Sequence, residues 1–162
     1  MVVKATPAAA PKLDLGYLAL FFGLRVNQLV MERMRAAGFE AVRESHGYVI
    51  QHLIDSDRSI TELARRMEVT QQAASKVTAE LAELGVLEIT AGRDRRAKRV
   101  RLSAKGWQVV RLGRRVRGQI EKRLIRSTGP EQYKIASDIL SDCLKSLGGL
   151  ERIRSRRVPP PE

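Results

Sequence analysis

A short segment after residue 69 combines side chains that hydrogen-bond well with side chains that occupy little space. A glutamine amide can pair in a bidentate manner with adenine, and the small side chains of Ala73 and Ala74 permit close approach to a partner or contact with a thymine methyl. Hydroxyl and ammonium groups suit phosphate oxygens. The candidate contact residues are Thr70, Gln71, Gln72, Ala73, Ser75 and Lys76. The alternative is that this row is an ordinary solvated helix face.

A strongly basic stretch follows further along the chain. Between Arg93 and Arg99, five basic residues surround the single acid Asp94. An arginine at the tip of a hairpin can enter a minor groove where narrow A·T-rich segments concentrate negative potential, and neighbouring cations can contact phosphates. The candidates are Arg93, Asp94, Arg95, Arg96, Lys98 and Arg99. The alternative is a charged tip that only prevents strand edges from pairing, for which one lysine would suffice.

The overall charge of the chain agrees with an anionic partner. The 162 residues include 30 Lys and Arg against 18 Asp and Glu, which gives a formal net charge of +12. The excess is local, because the stretch from Arg93 to Arg126 holds fourteen basic residues and two acids. A local excess of this kind is the electrostatic footprint of a nucleic-acid binder.

Helical periodicity and capping signals predict the elements that position these residues. The first two predicted helices span Leu13–Ala36 and Val42–Leu53. The pattern from Ser59 to Glu62 is typical of a capping box, which opens a short helix ending at Met67. Thr70 is expected to cap a second helix that stops at Gly85. Two helices joined by so tight a turn indicate a helix-turn-helix.

Two short strands are predicted next, and the chain then returns to helix. The strands are Val86–Thr90 and Arg99–Leu102, and the second alternates apolar and basic residues as a half-buried strand does. A long helix is expected over Ala104–Ser127, and a second capping box at Thr128–Glu131 is expected to open the last helix. That helix carries an apolar seam with three- and four-residue spacing: Tyr133, Ala136, Leu140, Cys143 and Leu147.

These elements predict a mainly α fold with a small β-hairpin wing, a winged helix-turn-helix with six helices. We expect a flexible segment at 1–12, a single domain at 13–149 and a basic flexible tail at 150–162. Within the domain, about 54–103 forms the winged helix-turn-helix part. The apolar first helix and the terminal seam exceed what one small domain covers, which favours a homodimer joined through 13–36 and 104–149. The alternative is that both elements pack within one chain.

The order and spacing of several short motifs resemble the MarR family of transcriptional regulators. The resemblance covers about Leu13 to Leu147, and the segments that carry it are Ser45-His46…His52-Leu53, Thr61-Glu62-Leu63-Ala64, Val69–Ser75, Leu81…Leu84-Gly85-Val86, Asp94–Lys98 and Val100–Gly106. It implies a homodimer that binds double-stranded DNA at a pseudo-palindromic site, with the helix after Thr70 in the major groove. The family's Asp-x-Arg pattern further implies that Arg96 enters the minor groove and that Asp94 holds it.

The resemblance also implies a cavity between the first, second and fifth helices for a small aromatic or phenolic effector. Phe22, His46 and Trp107 would line this cavity. The alternative is that His46 is a capping or surface residue and that Trp107 belongs to the core. The sequence departs from the family pattern at two places, with Glu68 where many relatives have a turn glycine and with Gly92-Arg93 where a proline often precedes the aspartate.

Other classes of function find little support in the sequence. The single cysteine, Cys143, excludes an intramolecular disulfide and a Cys-based zinc site, and it is expected to be a small buried apolar residue. No catalytic triad, metal cluster or phosphate-binding glycine loop is recognisable, so neither an enzyme nor a cofactor is expected. The apolar run Tyr17–Leu24 is far shorter than the roughly 20 residues of a membrane span. We therefore expect a cytoplasmic, nucleoid-associated protein, with a non-specific architectural DNA binder as the alternative function.

Overall fold

The computed structural model describes residues 13–91, 98–149, 151 and 153. Within these residues, six α-helices and a small antiparallel sheet form the expected winged helix-turn-helix. The elements are α1 (Leu15–Ala36), α2 (His46–Ile50), β1 (Arg58–Ser59), α3 (Ile60–Met67), α4 (Gln71–Glu83), β2 (Leu87–Ala91), β3 (Lys98–Leu102), α5 (Ala104–Thr128) and α6 (Pro130–Ser146), with a 3₁₀ turn at Gln51–Leu53.

The caps of α3 and α4 follow the sequence signals. The Ser59 hydroxyl accepts a hydrogen bond from the Glu62 backbone amide, and the Glu62 carboxylate accepts one from the Ser59 backbone amide, which completes the predicted capping box. Thr70 caps α4 by accepting from the Ala73 amide. Gly85 has a φ of +69° directly after the helix, where a side chain would be strained. These caps confirm both ends of the helix-turn-helix.

The sheet has three strands in the order β1-β3-β2, where the sequence predicted only the β2–β3 hairpin. The extra strand is a two-residue bridge in which Arg58 pairs with Val100 and Ser59 with Arg99. In β3, Val100 and Leu102 are buried while Arg101 is exposed, so the predicted alternation is confirmed. The bridge ties the start of α3 to the base of the wing.

Two predicted helix starts are wrong. The second helix begins at His46 rather than Val42, because the backbone amide of Arg43 donates to Nδ1 of His46 instead of continuing a helical ladder. The predicted capping box at Thr128–Glu131 does not form. Thr128 is the last residue of α5, its hydroxyl donates to the Leu124 carbonyl, and Gly129 with a φ of +90° separates the two helices.

The hydrophobic core lies where the C-terminal half of α1, α2, α3, α4 and the first half of α5 meet. Its most buried members include Val49, Leu63, Leu81, Val86 and Val100. The remaining helical surface is different, because no residue of α6 is buried and apolar side chains along the N-terminal half of α1 are about half exposed. Cys143 is partly rather than fully buried. The described residues therefore form one core around the helix-turn-helix, and they leave α6 and the N-terminal half of α1 largely exposed.

Candidate nucleic-acid interface

Helix α4 presents a clean division between a packed face and an open face. Ala74 and Leu81 are fully buried and Thr78 almost so, because these positions fall on one side of a helix with 3.6 residues per turn. The first-turn candidates are all exposed: Thr70, Gln71, Gln72, Ala73, Ser75 and Lys76. Ala74 was expected to permit close approach to a partner, and that expectation is wrong because its methyl group lies in the core.

The outward row of α4 has its hydrogen-bonding capacity available. Within the described part of the chain, the side chains of Gln71, Gln72, Ser75 and Lys76 form no hydrogen bond or ion pair with other protein groups. The first turn of α4 contains no acidic residue. The amides, hydroxyl and ammonium group are thus free to bind a partner, and the first turn itself contributes no carboxylate that would repel an anion.

The turn between α3 and α4 holds the two helices at a fixed angle. Glu68 adopts the left-handed conformation, with φ 56° and ψ 37°, and the amide of Val69 donates to the carbonyl of Ala64. A non-glycine residue in this conformation costs on the order of 1 kcal/mol. Many relatives have a glycine at this position, and glycine adopts a left-handed conformation without strain. Here Glu68 adopts that conformation although it carries a side chain.

The wing is described at its base only. Its tip residues Arg93, Asp94, Arg95 and Arg96 lie outside the described residues, so the proposed minor-groove contact stays a prediction. Lys98 is exposed at the start of β3. Further along β3, the Arg101 guanidinium donates a hydrogen bond of 2.9 Å to the carboxylate of Glu88 on β2.

Arg99 has protein partners in place of the phosphate expected for it. Its Nη2 donates to the Asp57 carbonyl at 2.6 Å, and its Nη1 lies 3.5 Å from Oε2 of Glu62. The Ser59 amide and hydroxyl, and after them the Arg99 guanidinium, hold the pKa of the Glu62 carboxyl below its ordinary value. Arg99 therefore fastens the wing base to the start of α3. The separation of 37 residues between Arg99 and Glu62 explains why the sequence did not show this contact.

The junction between β3 and α5 is also held by contacts that the sequence did not reveal. The Ser103 hydroxyl donates to the carbonyls of Gly85 and Val86, and Nζ of Lys105 donates to the Leu84 carbonyl. These bonds tie the start of α5 to the segment from Leu84 to Val86, which connects α4 to β2. The end of α4, the base of the wing and the start of α5 are consequently held together.

Comparison with solved structures finds the same fold in known proteins. The YusO protein from Bacillus subtilis matches with a TM-score of 0.66 and 22% identity, over 81% of this chain and 91% of that chain. Wild-type apo MarR from E. coli matches with a TM-score of 0.64 and 17% identity, over 83% and 99%. A mutant of S. aureus MepR bound to an oligodeoxyribonucleotide matches with a TM-score of 0.59 and 17% identity, over 84% and 99%. At these identities the likeness shows the fold.

A family model gives the narrower result. Residues 43–97 match the model described as MarR family. This match covers the helix-turn-helix and the wing region, and it confirms the resemblance to this family noted in the sequence. No curated protein sequence matches the chain.

Two further observations concern the residues that the structure describes. None of their helices combines the length and the apolar character that crossing a membrane requires. They contain no group of three or more His, Cys, Asp or Glu side chains placed to hold a metal ion.

A cavity of about 380 Å³ opens between α1, α2 and α5 of the MarR-family fold. Its wall is largely apolar and includes Val30, Met34 and Ile50. Its charged lining consists of three basic residues and one acid, and its neutral polar lining includes an amide that contacts two of them; these residues are Arg43, Arg114, Arg117, Glu44 and Asn27. Asn27 connects two of them, because its Oδ1 accepts from Arg117 at 2.9 Å and its Nδ2 donates to Glu44 at 2.7 Å.

The three residues expected to line an effector cavity do not line this one. Phe22 lies on α1 with 50% of its surface exposed. Trp107 borders a different depression, together with Asp55, Asp57 and Arg101. His46 is fully buried behind the cavity wall, so the capping interpretation of its role agrees with its hydrogen bond to Arg43. The position of the cavity was thus expected, but its lining differs because residues distant in sequence supply it.

His46 and Arg43 connect the cavity region to α4. An Arg43 Nη2 lies 2.5 Å and 2.6 Å from the two carboxylate oxygens of Glu80, a residue on the third turn of α4. Nε2 of His46 lies 3.6 Å from Oε1 of Glu80. Burial, and after it the Arg43 charge, lowers the pKa of His46, so the ring is neutral at pH 7. The sequence contained no signal for this cluster, since 37 residues separate Arg43 from Glu80.

Proposed function

We propose that this chain is a transcriptional regulator of the MarR family, a cytoplasmic homodimer that reads a pseudo-palindromic operator in double-stranded DNA. The observation that carries the proposal is the exposed, unbonded row on α4, headed by Gln71 and Gln72. A B-DNA major groove about 12 Å wide admits one helix, and glutamine recognises adenine by two hydrogen bonds. The relative MepR, a variant of which is seen with an oligodeoxyribonucleotide, supports the same use of the fold.

The wing is the second part of the proposed interface. We assign the minor-groove contact to Arg96, positioned by Asp94, and phosphate contacts to Arg93, Arg95 and Lys98. Arg99 is the least suited of the candidates, because its guanidinium is already bonded to Asp57 and Glu62. Phosphate contacts fix register and orientation without carrying sequence information. In this proposal, α4 recognises the base sequence and the wing contributes much of the binding affinity.

Exposed apolar surface supports the homodimer. The N-terminal half of α1 and the outer side of α6 carry large apolar side chains whose exposed fractions range from 37% to 84%: Leu15, Tyr17, Leu18, Leu20, Phe21, Phe22, Leu24, Ile135, Ile139, Leu144 and Leu147. Apolar patches of this extent mark interaction surfaces in soluble proteins. We assign 13–36 and 104–149 to dimerisation and 54–103 to DNA binding. A two-fold dimer would present its two α4 helices about 34–36 Å apart, to successive major grooves.

The DNA-binding proposal is tested by selecting duplexes from a random pool with the full chain and measuring affinities by fluorescence anisotropy. A selected duplex should bind at least tenfold more tightly than random duplex, and Gln71→Ala with Gln72→Ala should reduce that ratio by about 1–3 kcal/mol for each lost bidentate contact. Gln119→Ala, an exposed glutamine on α5, is the matched control and should change nothing.

Two outcomes of this experiment contradict sequence-specific reading. If the selected and random duplexes bind equally, the chain is the charge-driven architectural binder considered as the alternative. The same conclusion follows if the double glutamine variant keeps the full ratio while Arg96→Ala weakens binding to every duplex. Affinity should in either case fall steeply with salt, with a log–log slope of roughly −0.9 per phosphate contacted.

The dimer is tested separately by sedimentation equilibrium of the chain without DNA. We expect a dimer mass for the wild-type chain and a monomer mass for Ile139→Glu, because a charge on an apolar interface remains unpaired. Arg65→Glu, on the exposed surface of α3 and outside the proposed dimer interface, serves as the control and should stay dimeric. A monomeric wild-type chain at micromolar concentration would refute the assignment of these helices.

We further propose that a small aromatic or phenolic effector binds the cavity between α1, α2 and α5 and releases the DNA. An apolar wall beside three arginines favours such a molecule, above all one with an acidic group. A ligand that binds only the folded state raises its stability, by about 2.7 kcal/mol at 100 times the dissociation constant. Phenols that raise the unfolding midpoint of the wild-type chain should not do so for Gly113→Leu, since residue 113 lines the cavity. Equal shifts for both proteins would locate the ligand elsewhere.

A further inference from the structure

We propose that the ion pair between Arg43 and Glu80 transmits occupancy of the cavity to α4. In this proposal an anionic group in the cavity draws the Arg43 guanidinium away from Glu80 and so loosens the attachment of the DNA-reading helix. The inference rests on the proposed function, because it concerns how an effector in that cavity would act. It adds the residues through which the effect travels and the charge that the effector needs.

The guanidinium of Arg43 lies both at the cavity and in the ion pair with Glu80. Arg43 lines the cavity, and its Nη2 lies within 2.6 Å of both Glu80 oxygens. Glu80 lies on the same helix as Gln71 and Gln72, so a force on its carboxylate acts on the element that carries the proposed base contacts. Within the described residues no other ion pair joins a cavity-lining residue to α4.

His46 holds Arg43 in the position that this contact requires. Nδ1 of His46 accepts from the Arg43 backbone amide at 3.1 Å, so the proton of the neutral ring is on Nε2, which faces Glu80. The ring is fully buried, and its Nε2 is 3.2 Å from the Arg43 guanidinium. His46 is therefore a positioning residue, because it fixes the backbone of Arg43 and leaves the carboxylate of Glu80 between two nitrogen groups.

The charges around the cavity favour an anionic occupant. Arg43, Arg114 and Arg117 line it against one acid, Glu44, and that carboxylate already accepts a hydrogen bond from Asn27. A carboxylate bound among the arginines would neutralise Arg43 and repel Glu80, and both effects weaken the ion pair. A neutral molecule of the same shape would do neither. The ion pair with α4 therefore weakens when the bound molecule carries a negative charge, and not merely when the cavity is filled.

A purely structural role for the pair makes a different prediction. Arg43 keeps 59% of its side chain exposed and Glu80 34%, and exposed ion pairs contribute little to stability. If the pair is only a surface contact, removing it leaves the response to an effector unchanged. The proposal requires that the response be lost, so coupling and not stability is the quantity to measure.

The test uses benzoate as the anionic probe and benzyl alcohol as its neutral counterpart, with the full chain and its selected duplex. Sodium chloride in the control samples matches the ionic strength, because added salt by itself weakens DNA binding. We expect benzoate at millimolar concentration to raise the dissociation constant of the duplex at least fivefold, within the usual range for allosteric coupling, and benzyl alcohol to raise it less than twofold.

The variants assign the effect to the ion pair. Glu80→Gln and Arg43→Gln both lack the ion pair, so each should bind the duplex without benzoate about as weakly as the wild type binds it with benzoate. Each should also lose the response to benzoate, to less than a twofold change. Glu32→Gln removes the carboxylate of the Arg25–Glu32 pair on α1 and serves as the matched control, which should respond as the wild type does. A benzoate-induced thermal shift of Glu80→Gln shows that the variant is folded and still binds the probe.

Three other results would contradict the proposal, and each contradicts a different part of it. If Glu80→Gln responds to benzoate as strongly as the wild type, the ion pair does not carry the coupling. If benzyl alcohol acts as strongly as benzoate, or if the wild type does not respond to benzoate, the requirement for an anion is wrong and the proposed link with it. If the wild-type chain binds no duplex even without benzoate, the proposed function itself fails, and this result is distinct from the others.

Discussion

Replacing Gly106 with alanine tests the junction on which the positions of α4 and the wing depend. Gly106 lies in the first turn of α5, where a Cβ atom would be 2.2 Å from the Val86 carbonyl oxygen and 3.1 Å from Cδ2 of Leu102. The first contact is with backbone and cannot be relieved by turning a side chain. The same oxygen accepts hydrogen bonds from the amide and the hydroxyl of Ser103, both at 3.0 Å. The methyl group must therefore push α5 away from the end of α4.

The expected cost follows from three effects on stability. Forcing an extra methyl group into a packed site costs about 1–3 kcal/mol. Displacing the Val86 carbonyl weakens two hydrogen bonds, each contributing about 1 kcal/mol. Alanine is favoured over glycine inside a helix by about 1 kcal/mol, which offsets part of this loss. We expect Gly106→Ala to lower the free energy of unfolding by about 2–4 kcal/mol.

Urea denaturation followed by far-UV circular dichroism measures this change, and Gly118→Ala is the matched control. Gly118 lies in the same helix, and a Cβ atom there meets nothing within 4 Å. The control should raise the free energy of unfolding by about 0.5–1 kcal/mol, because only the helix preference remains. Equal effects of the two substitutions, or a Gly106→Ala protein as stable as the wild type, would refute the close contact. Folded Gly106→Ala should also bind the selected duplex more weakly, since the wing shifts relative to α4.

Two further predictions concern the caps and the buried histidine. Ser59→Ala should destabilise the chain by about 1 kcal/mol through loss of the capping box, while Thr61→Ala, an exposed neighbour on α3, should have little effect in the same urea titration. The pKa of His46 is lowered in the folded chain, so the unfolded chain binds more protons below pH 6.5. Stability should therefore fall as the pH drops from 7.5 to 5.5, by at most about 1.4 kcal/mol per unit, and this part of the pH dependence should disappear in His46→Gln. An unchanged profile in that variant would show that His46 does not cause it.

Local signals in the sequence determined much of the helix-turn-helix. The capping box joins Ser59 to Glu62, and the cap of α4 joins Thr70 to the amide of Ala73. Such interactions span three residues, so a linear pattern contains both partners. The alternation in β3 and the glycine after α4 are equally local, because each reflects the conformation of single residues. The exposed row on α4 follows from the same periodicity, which is why its members could be named in advance.

The same local signals misled where a residue three or four positions away supplied a competing hydrogen-bond partner. At Thr128, a threonine followed by glutamate three residues later formed no cap, since its hydroxyl donates back to Leu124 within α5. At Val42, helical periodicity was present, but the side chain of His46 took the hydrogen bond of Arg43 and delayed the start of α2. In both cases the sequence pattern was compatible with two structures, and packing selected one of them.

Sequence alone therefore determined the fold class, the order of its elements and most of the exposed face of α4. Only the tertiary structure decided which charged side chains form ion pairs or hydrogen bonds within the protein and which remain unpaired. The sequence predicted Arg99 to contact phosphate, whereas the fold places it against Asp57. The sequence pattern predicted no role for Arg43, whereas the fold places it between the cavity and Glu80. The physical reason is that an ion pair depends on distance in space, and partners separated by dozens of residues leave no periodic or local trace in the chain.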